Sequence, residues 1–243
     1  MLETLQNSLI SLIYPQECSV CFGSVDEIRI GNSCSECWRE SHVFTGVEML
    51  CDKCGAWLGP TAGASPVKCF KCDDYYFEKA FAIGVYEKAL AAAIVQLKTV
   101  PHLNYKLREL IRAAIIPLLA GLPIDIIVPV PLSKARKVER GYNQAEVIAA
   151  EFARNLRLPV DNNSLIRKLH TPIHRVGMDQ KARELTVKNA FEVSRPKLIA
   201  GKNILLVDDV FTSGATTSSC AKALKRNGSD RVFVFTLARA ILN

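Results

Sequence analysis

Between residues 80 and 243 the chain alternates short apolar runs with stretches whose apolar positions recur every three to four residues. A run rich in β-branched and aromatic residues suits a strand, and a 3.6-residue period suits a helix with one buried face. Residues 80–86 are predicted to form a strand, and residues 89–98 and 105–119 to form helices. Residues 125–130 form a buried strand that runs into a Pro-rich loop. Residues 143–156 form an amphipathic helix with Ala145, Ile148, Phe152 and Leu156 on one face. Asn143 is its N-cap, and Glu146, three residues on, suits a capping box. Residues 165–168 form a short strand, 203–207 the most strand-like run of all, and 231–237 a last strand. Residues 216–226 form a helix stopped by Asn227 and Gly228. Strands alternating with helices predict an α/β fold built on a mainly parallel sheet.

The first part reads differently. Residues 1–13 are mildly apolar and interrupted by Ser, Thr and Gln, which predicts a short helical lead closed by Pro15. The lead carries Glu3 and neither Lys nor Arg, unlike an export signal. No run of 18 apolar residues occurs anywhere, so no membrane insertion is expected and the cytoplasm is the expected location. Residues 17–75 hold polar turns with little periodicity, too little apolar surface to fold without a staple. The expected organisation is a lead at 1–16, a small module at 17–75 and a larger domain at 80–243.

The staple is visible as cysteine. Eight of the nine cysteines form four C-x-x-C pairs: Cys18 with Cys21, Cys34 with Cys37, Cys51 with Cys54, and Cys69 with Cys72. In a chain with no export signal this pattern points to metal rather than disulfides. Each C-x-x-C turn brings two sulfurs to one point, and two such knuckles complete a four-thiolate shell for zinc. Sequential pairing gives one structural site from Cys18, Cys21, Cys34 and Cys37, and a second from Cys51, Cys54, Cys69 and Cys72. A cross-brace, first pair with third and second with fourth, is the rival arrangement, and redox disulfides, free thiols or an iron–sulfur cluster are lesser alternatives. Four thiolates leave no open position, so no catalysis is expected there. Cys220, alone in a helix, reads as a small core residue.

Charge divides the chain at the same boundary. Residues 1–80 hold 6 Lys/Arg against 11 Asp/Glu, net −5, and residues 81–243 hold 25 against 13, net +12. The basic part suits an anionic ligand, a phosphate compound or nucleic acid, or a solvated basic surface.

The run 204–217, ILLVDDVFTSGATT, carries the most chemistry. A buried strand ends in Asp208 and Asp209, a turn of small and hydroxyl residues follows, and a helix begins. In an open parallel sheet, ligands sit beyond the carboxyl ends of the strands. The amides of Thr212, Ser213, Gly214, Ala215 and Thr216, with the helix N-terminus, suit an anion, and Gly214 permits close backbone approach. The hydroxyls of Thr212, Ser213, Thr216 and Thr217 add donors. Asp208 and Asp209 fit ribose hydroxyls, or water around Mg²⁺. The ligand that satisfies both halves is a ribose 5-phosphate bearing a second charged group. The plain alternative is a capped strand–turn–helix with surface carboxylates.

This run resembles the motif of type I phosphoribosyltransferases that binds 5-phosphoribosyl 1-diphosphate (PRPP). The resemblance implies that residues 212–216 hold the 5-phosphate and that Asp208 and Asp209 face the ribose. Over almost its whole length the chain resembles the ComF family. The likeness rests on the cysteine pairs, Leu97-Lys98, Val128-Pro129-Val130-Pro131-Leu132, Arg140-Gly141-Tyr142-Asn143-Gln144, the segment from Arg183 to Phe191, and the paired Asp. It implies a phosphoribosyltransferase-like fold behind a double zinc ribbon, with PRPP or a related sugar phosphate bound with Mg²⁺. It also implies work on incoming single-stranded DNA in natural transformation, alongside other proteins of the competence machinery. The loop after residue 130 would hold the diphosphate through Lys134, Arg136 and Arg140. Residues 168–183 resemble a hood loop over the ligand, with Arg183 as a contact, while His170 and His174 read as solvated.

Two main functional classes stay open on this reading, with an interaction scaffold whose ribbons dock a helicase-like partner as a weaker third. One is a phosphoribosyltransferase in which diphosphate leaves C1 of the ribose and a nucleophile replaces it, the carboxylates favouring the cationic sugar. The sequence shows no general base and no acceptor pocket. The other is a non-catalytic protein that handles single-stranded DNA. Aromatic residues near the basic loops are few, Tyr142 being the main one, so stacking platforms are not obvious.

Overall fold

The computed structural model describes residues 15–60, 67–70, 72–119, 121–168 and 190–241. The helical lead, Arg183, His170 and His174 therefore lie outside the described residues.

In chain order, a 3₁₀ turn at Ile28–Ile30 precedes α1 (Ser35–Arg39) and the small antiparallel pair β1 (Met49–Leu50) and β2 (Trp57–Gly59). Then come β3 (Lys79–Val85), α2 (Lys88–Gln96), α3 (Tyr105–Leu119), β4 (Ile126–Pro129), α4 (Lys134–Arg140) and α5 (Gln144–Leu156). A short antiparallel ribbon, β5 (Leu165–Arg167) with β6 (Phe191–Val193), leads through α6 (Pro196–Ile199) to β7 (Ile204–Phe211), α7 (Ala215–Arg226) and β8 (Val232–Arg239).

The central sheet has the order β3-β8-β7-β4, and every neighbouring pair is parallel. Side chains alternate across a strand, so each strand supplies both layers. Leu205 and Val207 join the cluster that contains Ile111, Ile148, Phe152 and Phe235, under α2, α3 and α5. Ile204 and Leu206 join the opposite cluster, which contains Phe191, Cys220 and Leu224. The α/β fold with a parallel sheet flanked by helices is as the periodicity predicts. In α3 the buried residues Leu107, Ile111, Ile115 and Leu119 fall four apart, and Asn104 Oδ1 accepts from the Leu107 amide at 2.8 Å to start the helix.

Three local predictions need correction. The strand expected at 203–207 runs on to Phe211, because Asp208, Val210 and Phe211 pair with Thr236, Ala238 and Arg239 of β8. Ladder pairing with a central neighbour outweighs the poor strand preference of two aspartates. The basic stretch expected as a loop forms α4. Ser133 caps it by accepting from the Arg136 amide, and Gly141, at φ 77°, closes it in the left-handed conformation. The capping box at α5 is half present. Asn143 accepts from the Ala145 amide, but the Glu146 carboxylate turns to Lys137 Nζ at 2.8 Å.

Among the described residues, no helix is long and apolar enough to cross a membrane.

Candidate functional site

The eight paired cysteines form two clusters, and all four sulfurs of each lie within 4.8 Å of one another. In the first, Cys18 Sγ stands 3.8 Å from Cys37 Sγ and Cys21 Sγ 3.8 Å from Cys34 Sγ. In the second, Cys51 Sγ stands 3.6 Å from Cys72 Sγ and Cys54 Sγ 3.5 Å from Cys69 Sγ. Sulfurs on a tetrahedral zinc with bonds of about 2.3 Å stand about 3.8 Å apart. The sequential pairing holds, the cross-brace is excluded, and both thiol sets could hold a zinc ion. Burial works to raise the Cys18 and Cys51 thiols. The backbone N–H groups of Cys21, Cys34 and Val20 bring Cys18 down to about 6, and those of Cys54, Cys69 and Lys53 do the same for Cys51. Burial keeps Cys54 up at about 11. Uptake of a cation by such a set releases protons.

The clusters pack against opposite faces of the sheet. Cys18, Cys34 and Cys37 join the apolar layer of α2 and α3, and Cys51, Cys54 and Cys72 join that of α7. The second cluster reaches the turn after β7. The Tyr75 hydroxyl donates to the Ser213 carbonyl at 2.6 Å, and the Tyr76 amide donates to Ser218 Oγ at 3.3 Å. Arg239, at the end of β8, donates to the Cys54 carbonyl, approaches Cys54 Sγ at 3.6 Å and lies 4.3 Å over the Phe211 ring.

A polar cleft of about 310 Å³ opens beyond the carboxyl ends of β3, β4 and β7. Tyr86 borders it from β3, Val130 to Leu132 from β4, and Asp208, Asp209, Thr212 and Thr216 from β7 and its turn. Arg136 and Arg140 enter from α4, Gln144 from the start of α5, Lys98 from the end of α2 and Arg167 from β5. Of the residues singled out in the sequence, Asp208, Asp209, Thr212, Thr216, Arg136 and Arg140 thus meet in one cavity.

The others have different positions. Lys134 is exposed on α4 and does not line the cleft. Ser213 gives its carbonyl to Tyr75, and Thr217 is buried and donates its hydroxyl to the Gly214 carbonyl at 3.1 Å. Gly214 has φ 73°, and a Cβ there would stand 2.7 Å from Phe211 and 2.8 Å from the Tyr75 ring. Its lack of a side chain therefore admits Tyr75 as well as shaping the turn. Ala215 opens α7.

The two carboxylates leave β7 on opposite faces. Asp208 follows Leu206 towards Arg167 and Cys220, and Asp209 follows Val207 towards Tyr86. Burial pushes the Asp208 carboxyl well above its ordinary value, and the Asp209 charge raises it further. A cation in the cleft relieves both effects.

Sequence reasoning gave no role to Tyr86, Lys98, Arg167 or Gln144. Lys98 and Gln144 lie inside the Leu97-Lys98 and Arg140–Gln144 motifs, so the sequence shows their position and not their role. Arg167 comes from a ribbon whose place over the sheet no local pattern announces.

Beside the cleft lies a second groove of about 230 Å³, lined by Phe44, Trp57, Phe70 and Tyr75 together with Arg239, and Thr212 borders both cavities. Phe70 is 85 % exposed.

No family model matches the chain. It is 32 % identical over 236 residues to competence protein F of Haemophilus influenzae, covering 92 % of this chain and 96 % of that protein. It is 30 % identical over 205 residues to the DNA utilization protein YhgH of Salmonella typhi, covering 79 % and 85 %. Among solved structures, an allosteric regulatory enzyme of purine biosynthesis matches 54 % of this chain and 25 % of its own, at TM-score 0.35 and 20 % identity. Adenine phosphoribosyltransferase of Saccharomyces cerevisiae matches 57 % and 79 %, at TM-score 0.33 and 15 % identity.

Proposed function

This chain belongs to the competence protein F family, and we propose that its polar cleft binds PRPP with Mg²⁺ as part of the handling of incoming DNA. One observation carries the reading. Two carboxylates, Thr212 and Thr216 of the turn at a helix N-terminus, and two arginines of α4 line the same cavity. The hydroxyl turn suits a 5-phosphate, the carboxylates suit the ribose or a bound cation, and Arg136 and Arg140 suit a diphosphate. Mg²⁺, when bound, neutralises diphosphate charge. Loss of diphosphate from C1 leaves positive charge on the sugar, which the neighbouring Asp208 and Asp209 side chains favour. The described residues offer no evident base for an acceptor, so binding is the core of the proposal and transfer to an acceptor is its extension. The relatives' names, a competence protein and a DNA utilization protein, support a place in DNA uptake, and that work belongs in the cytoplasm.

The test is a calorimetric titration of PRPP with and without Mg²⁺. The wild type is expected to bind only with Mg²⁺, and Asp208→Asn combined with Asp209→Asn to abolish binding. Wild-type affinity unchanged in the double variant would overturn the reading.

The aromatic groove favours a second role, direct binding of single-stranded DNA. Bases stack on exposed aromatic rings with little sequence preference. Phe70 and Trp57, placed beside Arg239 and Thr212, provide such a surface next to the cleft. Binding of an oligonucleotide that falls steeply with salt and is weakened by Phe70→Ala and Trp57→Ala, but not by the Asp variants, supports this role. Competition between PRPP and the oligonucleotide would place the two ligands against each other at the shared turn.

A further inference from the structure

Gln144 is 3 % exposed, and its Nε2 atom has no hydrogen-bond partner among the described residues. It is the first residue of α5 and lines the polar cleft. The neighbouring amide is a useful contrast. Asn143 is equally buried, donates Nδ2 to the Val130 carbonyl at 2.9 Å, and accepts from the Ala145 amide at 3.1 Å. Asn143 is fully employed in joining β4 to α5, whereas Gln144 Nε2 serves no contact of the fold.

A carboxamide nitrogen carries two donors, and burying them without an acceptor opposes folding. Leucine would fill similar space without that cost. A donor kept in such a place has its acceptor in something that enters the cleft. The surroundings specify the acceptor's chemistry. Arg136, Arg140 and Lys98 line the same cavity, and Gln144 sits at the positive end of a 13-residue helix. Guanidinium groups, an ammonium and amide N–H groups together suit an oxyanion.

We infer that the Gln144 carboxamide is a binding residue of the cleft, donating through Nε2 to an oxygen at the diphosphate end of the ligand. The inference rests on the PRPP reading above and assigns one end of that ligand. The hydroxyl turn after β7 takes the 5-phosphate, so a ligand that carries only that phosphate gains nothing from Gln144.

The experiment is calorimetry on the full, zinc-loaded chain with three probes: PRPP with Mg²⁺, inorganic pyrophosphate with Mg²⁺, and ribose 5-phosphate. Gln144→Leu is expected to weaken PRPP and pyrophosphate on the order of tenfold, the size of one hydrogen bond to a charged group. Ribose 5-phosphate affinity should stay unchanged, and the ligand-free melting temperature should equal or exceed that of the wild type. Gln144→Glu, which replaces the donors by a negative acceptor of the same shape, should weaken PRPP and pyrophosphate further. Wild-type affinities in Gln144→Leu overturn the inference and leave the PRPP reading standing. A lowered melting temperature with equal losses for all three probes also overturns it, because that marks a structural amide. A wild type that binds neither PRPP nor pyrophosphate removes the PRPP reading and this inference together.

Discussion

The Tyr75 hydroxyl donates to the Ser213 carbonyl across 2.6 Å, and so ties the knuckle of the second thiolate cluster to the turn that borders the polar cleft. The same ring fills the space where a side chain at position 214 would stand. A residue of the cysteine-rich segment thus helps to fix the shape of a turn that lies 138 positions further on.

Removing this link has a graded effect. Tyr75→Phe deletes one hydrogen bond and is expected to cost about 1 kcal/mol of stability. Gly214→Ala forces a Cβ into Phe211 and Tyr75 at a positive φ, and is expected to cost about 2 kcal/mol or more. Urea denaturation measures both. A Gly214→Ala variant as stable as the wild type would show that Tyr75 does not pack as described.

Metal content and ligand binding are expected to be coupled through one cluster more than the other. Metal analysis of the pure protein should give two zinc ions per chain. Cys69→Ser should lose one ion and weaken PRPP binding, because Tyr75 and Arg239 connect that cluster to the turn. Cys21→Ser should lose the other ion with a smaller effect on affinity. Equal effects on affinity would remove the proposed connection.

The pH dependence of stability should carry the signature of Asp208. Burial, then the Asp209 charge, raises its folded pKa above the ordinary 3.8, so the folded chain holds this proton more tightly than the unfolded chain. The stability linked to this proton is full below the ordinary value and is lost as pH rises through the raised one. Asp208→Asn should therefore melt higher than the wild type at neutral pH, and the gap should close near about pH 4. PRPP binding with Mg²⁺ should follow the opposite trend in the wild type and weaken as pH falls. A gap in melting temperature that does not change with pH would contradict the cause given for the shift.

Asn143 is expected to be among the costliest polar residues to replace. Asn143→Ala removes the cap of α5 and leaves the Val130 carbonyl unpaired, a loss of about 2 kcal/mol. Because Gln144 follows directly, ligand affinity should fall as well. Chemical denaturation paired with a PRPP titration reads both, and a change in neither would mean that the β4–α5 junction has another support.

Much of the architecture was legible in order along the chain. The helix at 105–119 was bounded correctly because Asn104 and the four-residue spacing of Leu107, Ile111, Ile115 and Leu119 are local signals. Helix α4 is bracketed by Ser133 and Gly141, but its four basic residues suit an anion-binding loop as well as a helix, and local pattern does not separate the two. The strand to Phe211 was cut short for a different reason. Three of its last four residues, Asp208, Val210 and Phe211, are held by β8, which pairs with them from more than 25 positions away. No window around Asp208 contains that information.

What the sequence by itself determined was what short-range chemistry can specify: the four C-x-x-C knuckles, the alternation of strands and helices, and the acidic pair followed by hydroxyls. The tertiary structure alone decided which knuckles join, that Asp208 and Asp209 face opposite sides of one strand, and that Arg167, Lys98 and Gln144 stand beside them. It also decided that four aromatic residues from the cysteine-rich segment and its flanks gather beside Thr212. The division follows from the physics. Knuckles, caps and periodic faces are set by neighbours within a few residues, whereas a cleft at the end of a parallel sheet is set by crossover connections. Those connections bring together side chains whose separation along the chain carries no trace of their distance in space.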